Sequence, residues 1–106
     1  MRPEVSLPVV WTEDDGKPQP GRLELAGPHL RLIGGSRDAE AVRELELREI
    51  AATRLGRTAE ERIGGRLTLV LELRNGSSVR VAGFERPGAI RELADHLQVA
   101  LGSLGS

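Results

Sequence analysis

Between Leu67 and Phe84 the chain alternates apolar and polar residues in two runs joined at Asn75-Gly76. Leu67, Leu69, Leu71 and Leu73 fall on every second position. Strand side chains alternate faces, so the four leucines share one face. Thr68, Val70, Glu72 and Arg74 take the other. Val79 and Val81 continue the apolar alternation after the turn, with Arg80 facing away. At helical period the same leucines would circle the axis and form no stripe. Asn-Gly tolerates the positive φ that a two-residue type I′ turn demands at both central positions. The stretch is a β-hairpin on this reading, and the rest of the chain has to wrap around it.

The preceding segments carry the same period. Val5–Thr12 is a short apolar run in which Pro8 cannot donate to a ladder, which predicts an edge strand or a bulge. Residues 13–20 (EDDGKPQP) read as a loop. Gly21–Ala26 and Leu30–Ile33 predict a second hairpin around Gly27-Pro28, with Leu23, Leu25, Leu30 and Leu32 inward. Residues 34–40 (GGSRDAE) read as another loop. Val42–Leu47 alternates through Leu45 and Leu47, and Ile50–Leu55 continues it after a bend near Arg48-Glu49. The same region supports a competing reading, a helix over 38–54, because its alanines and glutamates are good helix formers. The spacing of Leu45 and Leu47 opposes it. Residues 56–65 form a polar loop.

After Phe84 the period changes. Ile90, Leu93, Ala94, Leu97, Leu101 and Leu104 follow the three-four spacing of one helix face. Pro87 suits a first turn, and Glu85 suits the positive end of the helix dipole. Glu92 and Asp95 face solvent, and Gly102 marks the end. The fold class is thus mostly β: a curled antiparallel sheet or small barrel of about seven strands, capped by one C-terminal amphipathic helix. The 106 residues are expected to form a single domain.

This order of elements resembles the pleckstrin-homology-like superfold, including its bacterial and GRAM-type members. The resemblance rests on Gly21-Arg22-Leu23-Glu24-Leu25 with His29-Leu30-Arg31-Leu32 as an early hairpin. The Arg43–Ala52 stretch, the leucine hairpin with Asn75-Gly76 and the final helix follow. It covers roughly residues 5–101 and is a match of pattern, with no diagnostic signature. Helices of that family often carry a Trp, and this one has none.

The resemblance implies phosphoinositide headgroup binding as one function, through Lys and Arg gathered in the first hairpin and its loop. Here that loop is Glu13-Asp14-Asp15-Gly16-Lys17, which is net acidic. Lys17, Arg22, Arg31 and Arg37 remain as a weak anion-binding set, with membrane contact at most peripheral. Net charge is −1 and aromatics are 2%, so neither a basic stripe nor a stacking platform for nucleic acid exists. With no cysteine, disulfide and thiolate chemistry are excluded. No catalytic constellation surrounds His29 or His96, so no enzyme activity, metal or cofactor is expected. The cysteine count and the missing signal-peptide pattern predict a cytoplasmic protein. Fourteen of the fifteen basic residues are Arg, a bias of composition more readily than of function.

A non-enzymatic protein-interaction or scaffold module remains. Its partner would be a protein or peptide, or a second copy of the chain. The Val5–Thr12 edge or the strand containing Ile50 would receive it as an added strand. Trp11 carries two readings: a plug for one end of an aliphatic core, or an exposed anchor. Ile33 and Val70, placed on the outer face by the alternation, complete the candidate surface.

Overall fold

A computed structural model describes residues 5–13, 16–36, 39–83 and 87–104, with the backbone alone at 35, 36, 39, 40, 87, 103 and 104. The alternating runs form seven strands: β1 (Val5–Glu13), β2 (Gln19–Ala26), β3 (His29–Ser36), β4 (Ala39–Glu46), β5 (Ile50–Leu55), β6 (Thr68–Leu73) and β7 (Ser78–Gly83). The helix α1 (Pro87–Leu104) follows. The strands make one antiparallel sheet in the order β4-β3-β2-β1-β7-β6-β5, curled into a half-barrel.

The sheet turns on β1. Residues Val5–Trp11 pair with β2, whereas only Val9–Glu13 pair with β7. β1 is therefore bonded on both sides from Val9 to Trp11, which corrects the edge-strand reading there. Pro8 falls in the half bonded on one side, where its missing N–H removes no bond to β7. At the other end of the barrel the terminal strands β4 and β5 are joined by a 3-10 turn, Leu47–Glu49. Both hairpin tips clasp that turn. Leu47 N donates to Pro28 O at 2.8 Å, Arg74 N donates to Glu49 O at 2.9 Å, and Arg74 Nε donates to Arg48 O at 2.7 Å.

Three boundaries move from those expected. Residues 39–46 and 50–55 are strands, so the helix over 38–54 does not form; Leu45 pairs with Leu30 across the sheet. The Gly34–Glu40 stretch is largely ladder, with Gly34 opposite Ala41 and Gly35 opposite Glu40. Gly34 serves packing: a Cβ there would lie 2.8 Å from Trp11 Nε1. β2 begins at Gln19, ahead of the expected Gly21. Helix α1 also continues through Gly102 to Leu104. Asp14, Asp15, Arg37, Phe84 and Glu85 lie outside the described residues.

The leucine hairpin keeps its faces and changes its turn. Leu69 pairs with Val81 and Leu71 with Val79. Gly76 N donates to Leu73 O and Leu73 N to Ser77 O, which leaves Arg74, Asn75 and Gly76 as a three-residue loop. Gly76 has φ 93°, the position that only glycine takes without strain. A two-residue Asn-Gly turn would set Leu71 against Arg80 and carry that guanidinium into the core. The hydrophobic register outweighs the turn preference of the dipeptide. Asn75 Oδ1 instead accepts bonds from Ser77 N and Oγ.

The core is aliphatic. Leu23, Leu25, Leu30, Leu32, Leu45, Leu69 and Leu71 are buried on the concave face. α1 packs on β5, β6, β7 and the 3-10 turn. It inserts Ile90, Leu93 and Leu97, all buried, and leaves Glu92 and Asp95 exposed as expected.

Candidate interaction surface

Trp11 is an inward-facing residue of β1, only 3% exposed. Its Nε1 donates to Ile33 O at 3.0 Å, which satisfies the one polar atom a buried indole carries. It plugs the core and cannot serve as an exposed anchor. The candidate surface of Trp11, Ile33 and Val70 is therefore not assembled. Ile33 is half-buried on the outer face of β3, beside Arg22 of β2 and Val42 of β4. Val42 is exposed, an outward apolar residue that the sequence reading passed over.

Val70 does point outward, between Arg54 of β5 and Arg80 of β7. Yet it is buried, and so are its neighbours on that face, Thr68 and Ala82. The cover lies over β6 and β7 and is the chain's own segment 57–66. Ile63, the segment's one large apolar residue, is buried. Ile63 N donates to Thr68 Oγ1 at 2.9 Å, and the same hydroxyl donates to Arg66 O at 2.9 Å. Arg80 Nη1 donates to Glu60 O at 2.6 Å. Arg54 holds two carboxylates, Glu72 at 2.7 Å and Glu61 closer still. The Arg54 guanidinium, helped by the Arg57 N–H, lowers the Glu61 carboxyl to about 2. Glu61 and Glu72 in turn raise the Arg54 pKa. A cleft of about 510 Å³ remains beside this cover, with Val70 and Glu72 on its wall. None of Arg54, Glu61 or Ile63 stood out in the sequence; a lone isoleucine in a polar loop was the available sign.

The weak anion set is not gathered into a basic cluster. Arg22 Nη1 donates to Ser6 Oγ at 2.7 Å. Arg31 donates through Nε and Nη2 to Glu44 Oε1, at 3.0 and 2.8 Å, and faces Glu24 on its other side. Lys17 is exposed, and Arg37 lies outside the described residues. Arg43, on the concave side, sits 3.1 Å from Glu13 Oε1. Among the described residues no group of three or more metal-ligating side chains converges. No helix of the described residues is long and apolar enough to cross a membrane.

The two outermost strands differ. The sequence of β4 carries Glu40, Arg43, Glu44 and Glu46. That of β5, IAATRL, carries one charge, Arg54, already engaged by two carboxylates. Ala51 and Ala52 are exposed, and a bulge falls at Ala51.

No protein-family model matches the sequence, and no curated protein matches it. Solved structures do resemble the fold. The C-terminal domain of an unknown protein from Leishmania infantum superposes with TM-score 0.68 at 13% identity, over 91% of this chain and 84% of that one. The apo structure of an activated truncation of Vav1 gives TM-score 0.68 at 12% identity, and Vav1 with an allosteric inhibitor gives 0.65 at 10%. Both cover 94% of this chain, which spans 26% of the Vav1 chains. The bacterial affiliation finds no support in these neighbours. At such identities the likeness concerns the fold alone, and with the curled seven-strand sheet and terminal helix it supports a pleckstrin-homology-like architecture.

Proposed function

We propose that the chain is a non-enzymatic interaction module that receives an extended protein segment, from a partner or from a second copy of itself, along the free edge of β5. The observation that carries this reading is the contrast between the two terminal strands. Natural sheet edges are commonly guarded by charge, Lys or Pro. β4 has such charges, while β5 offers two exposed alanines and no Lys or Pro. Bonding direction supports it too. Gly56 N donates to Thr68 O in line with the β5–β6 ladder. Bonded pairs alternate along an antiparallel ladder, so Thr53 and Leu55 turn their N–H and C=O groups away from β6. Those are the groups an added strand would use.

Thr53→Pro tests the reading, because it deletes an outward N–H and spares the bonds to β6. Wild type and variant are compared by circular dichroism, by sedimentation velocity over a concentration series, and by capture of proteins from an extract of the native cell. Self-association or capture that is lost in a folded Thr53→Pro protein supports the edge. Association that survives the substitution places the contact elsewhere and ends this reading.

A further inference from the structure

We propose that residues 57–66 are a latched strap, which opens as a unit about glycine hinges and uncovers an apolar stripe on the outer face of β6 and β7. Four observations carry it, none of which depends on the β5 edge.

The strap is joined to the sheet differently from the strands. Backbone bonds within its interior are local: Glu61 N and Arg62 N donate to Thr58 O, and Arg66 N donates to Ile63 O. Side chains tie it to the sheet: the Thr68 hydroxyl, the Arg80 guanidinium, the Arg66 guanidinium on Gly83 O and the Arg54–Glu61 ion pair. Segments held by few buried apolar contacts and exposed polar bonds open below the free energy of global unfolding.

Both ends carry glycine. Gly64 and Gly65 sit at φ 59° and 75°. Gly56, at the start, is buried so closely that a Cβ would lie 3.0 Å from Glu61 Cβ. Gly64 and Gly65 tolerate backbone angles of either sign, so the chain can swing there with little steric penalty.

The face beneath is suited to exposure in the open state. It presents Val70 and Ala82, and Thr68, whose hydroxyl can bond to water once Ile63 N and Arg66 O depart. Opening therefore strands no buried polar side chain of this stripe.

The latch is ionic. Arg54 is half-exposed and Glu61 about a quarter exposed, so the pair weakens as salt screens it. The low pKa of Glu61 keeps it charged down to acid pH, so salt releases the latch under neutral conditions and protonation does not.

The chain has no cysteine, so an introduced thiol is a clean reporter. Val70→Cys lies under the strap, and Val79→Cys lies on the concave face as a control for global unfolding. Each is reacted with a soluble thiol reagent in an otherwise native background and with Glu61→Gln added. The strap predicts that Val70→Cys reacts about tenfold or more faster than Val79→Cys, and faster again with Glu61→Gln or in high salt. Equal rates for the two thiols would show that the cover leaves only when the barrel unfolds, and would overturn the proposal. A Val70→Cys rate unmoved by Glu61→Gln and by salt would overturn the ionic latch.

Discussion

The outer surface of one sheet is finished in two ways. Over β2, β3 and β4 it meets water directly, with Arg31 on Glu44, Arg22 on Ser6, and Val42 open beside Ile33. Over β6 and β7 it is roofed by residues 57–66, and Thr68, Val70 and Ala82 are as buried as much of the core. Both regions alternate inward apolar with outward residues. What differs is the segment that follows the neighbouring strand: a tight turn after β2, a long polar excursion after β5. Alternation sets which way a side chain points, whereas burial depends on what later returns to cover it.

The contrast can be broken by substitution. The largest effects belong to the shared concave face: Leu71→Ala and Leu97→Ala should each lower stability by about 2–5 kcal/mol in denaturant titration. A neutral Leu71→Ala would mean the hairpin's inner face is wrongly assigned. Next comes a matched pair on the two outer regions. Val70→Thr places a hydroxyl under the strap and should be destabilising by about 1–3 kcal/mol. Val42→Thr, in the open, should stay within about 0.5 kcal/mol. Equal effects would erase the distinction between the roofed and the open outer face.

Smaller differences sharpen it. Arg31→Ala removes a pair with both partners more than half exposed, and its effect should not exceed about 1 kcal/mol. The pH dependence should separate the regions as well. Glu61 has a folded pKa of about 2, below its ordinary value of 4.5. Its contribution is therefore complete above the ordinary value and is lost as pH falls from there toward 2. Amide chemical shifts of residues 57–66 should titrate with a midpoint near pH 2, the folded value of Glu61, and Glu61→Gln should abolish the movement.

Much of this was legible in the residues. Every strand was found, because period-two leucines and valines leave little choice of face. The odd loop of the leucine hairpin was legible too: Leu71 and Val79 can face each other only if the loop has an odd number of residues. The Asn-Gly dipeptide drew attention to a local preference that the long-range register overrides. Trp11 was ambiguous for a plain reason. Its environment is made by Gly34 and Ile33, more than twenty positions later, and neither announces a partner. The roof over Val70 was hidden for a similar reason. Its one apolar foot, Ile63, sits among charges, and the remaining ties are single polar atoms whose meeting no spacing foretells.

The place of β1 has a consequence for how the protein is made. Its second half needs residues 79–83 as its neighbour, which emerge from the ribosome long after residues 9–13. Until then the growing chain holds a meander with Val9, Val10 and Trp11 along an unfilled side. Closing it joins distant parts of the sequence, the kind of pairing that slows folding.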